Sequence, residues 1–293
     1  IALDHLKMAS GVFRQGVFLD PARNKIEFYK DGKTATISVT SDGSFRAIRT
    51  NGKPDAGIQF GPGAKPSWDE STMILLAALP LAFKPDAKTV ANIGFGSGLT
   101  THSLLAAEGL QLVDTIEIEP AMVEGAKLFE EVNFRAYKDP RSHIRIEDAK
   151  TFFASHQRRY DIIVSEPSNP WVSGVATLFS DEFYGRMRPH LNDGGLLVQW
   201  LHVYEIDFDL VGSILKALGS KCVGVFSDIP QDTGVEVVDA GAAFAKKNGA
   251  NIVVSVGGFS RFSSLTMNSI TRESCSLALA WTKSTASASS PNS

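Results

Sequence analysis

A chain of 293 residues, 43% hydrophobic and 21% charged, can bury a substantial core in one large domain or two modest ones. Its formal net charge of -3 gives no electrostatic reason to expect a nucleic acid or an anionic membrane surface as partner. Two cysteines, Cys222 and Cys275, make neither a metal spacing nor a disulfide framework, which fits a reducing, cytoplasmic compartment.

No signal-peptide pattern opens the chain, and because it starts at Ile1 rather than Met the natural N-terminus is expected upstream. Residues 1–66 are expected to form a small β-meander domain. Lys25–Tyr29, Thr34–Val39 and Phe45–Arg49 are short β-branched or aromatic runs, punctuated by Asp31-Gly32 and Asp42-Gly43 and closed by Asn51-Gly52. A Gly/Pro loop from Gly57 to Pro66 then leads to an apolar helix expected to end near Leu79. The run from Met73 to Phe83 is interrupted by Pro80 and falls far short of the ~20 residues of a membrane span.

From Thr89 the pattern becomes strand–helix alternation. Strands are expected at Thr89–Ile93, Leu112–Ile118, His143–Ile146, Asp161–Ser165 and Leu196–Trp200. Helices are expected at Leu99–Glu108, Ala121–Val132, Lys150–Ser155, Asp181–Leu191 and Asp207–Leu218. This alternation implies an α/β fold with a doubly wound parallel sheet over residues 67–218, whose ligands bind beyond the carboxyl ends of the strands. An appended α/β segment, 219–260, offers strands at Lys221–Phe226 and Asn251–Val256 and a helix at Val235–Lys247. The Ser-rich stretch 261–293 sustains neither period, and disorder is expected beyond Lys283.

The chemistry concentrates at strand ends. Gly94-Phe-Gly-Ser-Gly98 lets the backbone turn sharply and approach a ligand, with Gly94, Gly96, Ser97 and Gly98 as the cradle. It lacks the third glycine of the dinucleotide pattern, Thr100 standing near that place. Glu117, about 20 residues on, is placed to accept both hydroxyls of a ribose. Glu119 lies on the same side of the strand and competes with it. Asp148 either receives an adenine ring or caps the helix that follows, and the residues alone leave both open. Glu166 and Asn169 sit between Pro167 and Pro170. There a carboxylate can take a proton from an attacking amine and an amide can hold that amine, although Ser, Asn and Pro equally make turns. Trp171, Trp200 and Tyr204 are candidate pocket walls. The six histidines are scattered without metal spacing, so no metal site is expected, and no Gly-x-Ser-x-Gly elbow exists.

Taken in order, Leu79-Pro-Leu81, the glycine turn, Glu117-Ile-Glu-Pro120, Tyr160–Trp171, Gly174–Tyr184 and Gly194–Leu201 resemble the polyamine aminopropyltransferases, the spermidine synthase family, in a bacterial spermidine synthase-like branch. The resemblance spans about residues 16–209. It implies a Rossmann-like, methyltransferase-type doubly wound sheet with a small N-terminal β-meander domain. It also implies a decarboxylated S-adenosylmethionine donor, no permanently bound cofactor, a small-molecule amine acceptor and a homodimer. By position, Glu117 would bind the ribose, Asp148 the adenine and Glu166 would be the base. The chain departs from the family pattern at Ser97, where an aspartate stands, and at Glu166-Pro-Ser-Asn-Pro170, where the family has Asp-Ser-x-Asp-Pro. The family's Tyr-Gln pair has no clear counterpart, Trp68, Asp69 and Met73 lying nearby. Residues 219–260 resemble a fragment of the iron-dependent alcohol dehydrogenases, as a gene fusion or chimera would. Two other functions remain in play: an S-adenosylmethionine-dependent methyltransferase, and a non-transferase chimera with binding or incidental hydrolysis only.

Overall fold

The computed structural model describes residues 3–168, 174–201, 208–217, 240, 243, 247 and 279–282. Two one-turn helices, α1 (His5–Met8) and α2 (Val12–Gln15), precede four antiparallel strands in sequential order: β1 (Asn24–Asp31), β2 (Thr36–Asp42), β3 (Phe45–Thr50) and β4 (Lys53–Gln59). The fourth strand corrects the expected loop. Asn51 and Gly52 both take positive φ, 50° and 83°, and form the two-residue turn that returns the chain along β3. Pro54 is tolerated there because β4 is an edge strand.

Helix α3 (Trp68–Phe83) opens with a capping box between Ser67 and Glu70 and runs through Pro80, beyond its expected end. Leu81 and Phe83 pack on the core past the proline, and that burial outweighs one lost backbone bond. The larger sheet follows through β5 (Thr89–Ile93), α4 (Leu99–Leu104), β6 (Leu112–Glu117), α5 (Pro120–Gly125), α6 (Glu130–Lys138), β7 (Ser142–Ile146), α7 (Ala149–Ser155), β8 (Tyr160–Ser165), α8 (Asp181–Met187), β9 (Leu191–Gln199) and α9 (Phe208–Ala217). One helix expected at Ala121–Val132 is instead α5, a 3-10 turn at Ala126–Phe129, and α6. The turn sinks Ala126 and Phe129 fully into the core, while Asn133 Nδ2 donates to the Ala126 carbonyl at 2.8 Å.

Strand order is β10-β9-β8-β5-β6-β7, with β5 through β9 parallel and β10 (Leu279–Thr282) antiparallel on β9. The last of these lies where no strand is expected from sequence; its four residues pair with 196–199. Expected elements at 221–226 and 251–256, most of 235–247 and the tail beyond 283 lie outside the described residues.

Three apolar clusters fix the geometry. One face of the sheet packs Phe152, Phe153, Phe183, Tyr184 and Met187; the other packs Leu76, Leu104, Leu105 and Trp200. A third joins Ile37, Val39, Ile48 and Ile58 of the small sheet to Met73, Phe95, Leu99 and Phe129. The small sheet is therefore packed against the carboxyl end of the large one, where the site lies.

Candidate functional site

Strand order reverses at β5: the chain moves outward from β5 to β6 and β7, then returns to lay β8 parallel on the opposite flank of β5. Such a switch point opens a crevice at the carboxyl ends of the two strands. Gly94 follows β5 and Glu166 follows β8, and the Glu166 N–H donates to the Ile93 carbonyl at 2.9 Å.

Gly94, Gly96 and Gly98 all take positive φ, at 97°, 51° and 80°. A Cβ on Gly94 would stand 2.6 Å from the Glu166 carbonyl oxygen, so glycine is what lets the two turns touch. A Cβ on Gly96 would meet no atom within 4 Å, so the turn presents bare backbone to open space. Buried Asn133 donates to the Ser97 carbonyl at 2.6 Å and holds the turn from behind. That residue, 36 positions away, carries no sequence signal of its role.

Two acids at the end of β6 divide their work. Glu117 is buried, and its Oε2 and Oε1 accept the N–H groups of Phe95 at 3.0 Å and Glu119 at 2.8 Å. Burial pushes its carboxyl up to about 7 against those two amides, with the negative charges of Asp55 and Glu119 adding to the rise. Glu119 is spent on structure. Its Oε2 accepts the Thr34 amide and hydroxyl at 2.6 and 2.8 Å, and its Oε1 caps α5 through the Ala121 amide at 3.0 Å. Burial alone would raise Glu119, yet the Ala121 and Thr34 bonds hold it below the usual carboxylate range. Geometry separates the two acids that the strand pattern leaves in competition: Glu117 faces the glycine turn, whereas Glu119 fastens the β1–β2 loop to the large sheet.

Glu166 is partly buried, and burial likewise pushes it up to about 7. The nearby Thr100 hydroxyl pulls the other way, and the charge of Asp69, in the first turn of α3, adds to the rise. Thr100 Oγ1 is buried and makes no hydrogen bond of normal geometry among the described residues. Ser97, in place of the family aspartate, is fully buried with its hydroxyl 3.2 Å from the Met73 sulfur.

Asp148 caps α7: its Oδ2 accepts the Thr151 amide at 3.0 Å and hydroxyl at 3.2 Å. Trp200, an expected pocket wall, is packed in the core with Leu76 and Val198, a placement that burial of its large apolar surface explains. Asn169, Trp171 and Tyr204 lie outside the described residues. Among the described residues no group of His, Cys, Asp and Glu is arranged to hold a metal, and no helix is long and apolar enough to cross a membrane.

The parallel order, the switch point and the acid beyond β6 define a Rossmann-like α/β domain of methyltransferase type. The profile of the Spermine/spermidine synthase domain matches residues 71–230, more than half of the chain, and this protein belongs to that family. The match runs past residue 219, into the segment whose resemblance pointed to a dehydrogenase fragment. Among curated relatives, a polyamine aminopropyltransferase of Alkaliphilus oremlandii is 32% identical over 124 residues, covering 42% of this chain and 43% of that one. One from Clostridium perfringens (strain 13) is 31% identical over 124 residues, covering 42% and 44%. The matched stretch thus spans less than half the length of these relatives. Among solved structures, a spermidine synthase in complex with the transition-state analogue AdoDATO superposes with a TM-score of 0.62 at 16% identity, over 90% of this chain and 75% of that one. The Thermotoga maritima spermidine synthase gives 0.61 at 15%, over 90% and 74%. At such identities the likeness establishes the fold.

Proposed function

We propose that this chain is a spermidine synthase-like aminopropyltransferase, using an adenosyl-sulfonium donor and a small-molecule amine acceptor. One observation carries the reading: two carboxyls raised by burial, the buried Glu117 and the partly buried Glu166, stand on either side of the Gly94 contact at the switch point. Glu117, fixed by two backbone amides, keeps lone pairs for the hydroxyls of a ribose laid over Gly96. Asp148 extends that nucleoside side toward the adenine while capping α7. Glu166 takes a proton from the acceptor's ammonium or attacking amine. The amine nitrogen then bonds to the propyl carbon beside the sulfonium, the carbon–sulfur bond breaks, and its electron pair leaves on sulfur as neutral methylthioadenosine. A base poised at about 7 suits this task near neutral pH. The remaining parts of the reading are a role for Asn169 in holding the acceptor amine, roles for Trp171 and Tyr204 as pocket residues, and a cytoplasmic homodimer without a permanently bound cofactor.

Turnover of decarboxylated S-adenosylmethionine with putrescine, followed as methylthioadenosine release, tests the reading. Glu166→Gln is expected to lower kcat by about 10²- to 10⁴-fold while leaving methylthioadenosine affinity within about twofold, the signature of a lost base rather than a lost ligand contact. Release of S-adenosylhomocysteine from S-adenosylmethionine would move the assignment to the methyltransferase alternative.

A further inference from the structure

The residue two places beyond Glu166 is tied to the small sheet by an arrangement that the reaction above does not use. Lys53, at the start of β4, is buried, and its Nζ lies 3.1 Å from Asp55 Oδ1, 3.2 Å from Ser168 Oγ and 3.4 Å from the Pro54 carbonyl oxygen. Ser168 in turn donates to Asp55 Oδ1 at 3.2 Å, closing a triangle. The two charged side chains are only 8% and 13% exposed, so this is a desolvated ion pair rather than a surface one.

The backbone shows how Asp55 comes to be there. In the β3–β4 ladder Arg49 pairs with Pro54 and Ile48 with Ala56, which leaves Asp55 as an extra residue, a β-bulge. Bulges re-aim one side chain out of a regular ladder and recur beside functional sites. This one delivers a carboxylate toward the turn after β8, close enough for its charge to be felt at Glu117.

A buried ion pair is a weak stabiliser, because desolvation of both charges offsets most of their attraction; what it does provide is a fixed geometry. We propose that Lys53, Asp55 and Ser168 form a latch across the cleft that holds the Glu166–Ser168 turn against the small sheet and so sets where the Glu166 carboxyl points. Lys53 and Ser168 are then positioning residues for the reaction, a role that rests on Glu166 being its base. Among the described residues, the other tethers of this turn, the Glu166 amide on Ile93 and the close Gly94 contact, restrain its first residue.

Ser168→Ala is the informative variant, because it removes the link to the turn while leaving the Lys53–Asp55 pair intact. Hydrogen exchange of the whole 293-residue chain is expected to quicken by about tenfold at the amides of Val164, Ser165, Glu166 and Ser168, with the small sheet unchanged. In the same variant kcat should fall by about tenfold, methylthioadenosine affinity should stay within about twofold, and Ser168→Thr, which keeps the hydroxyl, should restore both exchange and kcat. Unchanged exchange at 164–168 in Ser168→Ala overturns the latch. Should Glu166→Gln retain full turnover, the base assignment fails, and exchange still decides whether the turn is held by Ser168.

Discussion

The two sides of the cleft are built in different ways. On the β5–β6 side, backbone meets side chain over short distances in sequence: three glycines at positive φ shape the turn, and Glu117 is oriented by the amides of Phe95 and Glu119. On the β8 side, the turn is held by side chains from the small sheet, Lys53 and Asp55, more than 110 residues earlier in the chain. The first side is rigid by covalent geometry and local hydrogen bonding. The second is rigid only as long as the small sheet stays docked. With the roles proposed above, donor binding should therefore survive perturbations of the small sheet that displace Glu166.

The harshest way to break this division is at Gly94, where the two turns touch. Gly94→Ala puts a Cβ 2.6 Å from the Glu166 carbonyl oxygen and forces a non-glycine residue to φ 97°. It should cost about 3–5 kcal/mol in chemical denaturation and remove nucleoside binding and turnover together.

A gentler test uses pH. Glu117 and Glu166 are both raised from 4.5 to about 7, so between those values the folded state holds protons that the unfolded chain releases. Their contribution to stability is full below about 4.5 and is lost as pH rises through 7, on the order of 3 kcal/mol for each acid by pH 8. Denaturant midpoints should fall from pH 5 to pH 8, and Glu117→Gln should flatten part of that fall. Asp161 and Asp139 are held below the usual range and lose their stabilisation as pH drops below about 4, outside this window. An unflattened profile would show that Glu117 is not the buried acid described above.

The smallest expected effect separates the neighbouring acids. Glu119→Gln replaces one acceptor oxygen by an NH2 that must face the Thr34 or Ala121 amide. It should lower stability by about 1–3 kcal/mol while leaving methylthioadenosine affinity unchanged.

How far the sequence foretold the molecule follows from the same contrast. The glycine turn, the strand ending at Glu117 and the turn after β8 were readable because each is a local pattern, and β5 begins and ends where its apolar run does. The fourth strand was missed because Lys53-Pro-Asp-Ala-Gly has poor strand propensity, although Asn51-Gly52 signalled a hairpin that needed a returning strand. Alternation cannot separate Glu117 from Glu119, because it puts both on one side of the strand; what separates them is the contact of Glu119 with Thr34, 85 residues earlier. Asn133 and Lys53 escaped notice because a buried asparagine or lysine shows its purpose only through partners distant in sequence.

Isothermal titration of methylthioadenosine into the wild-type chain and Glu117→Gln shows whether the carboxyl at the end of β6 holds a nucleoside. The substitution turns an acceptor oxygen into a donor that must face either the Phe95 or the Glu119 amide, disordering the group that would hold the ribose. The account predicts one site per chain in the wild type and an affinity weakened by about 10- to 100-fold in Glu117→Gln. Equal affinity in the two proteins, or no binding to the wild type, would contradict it.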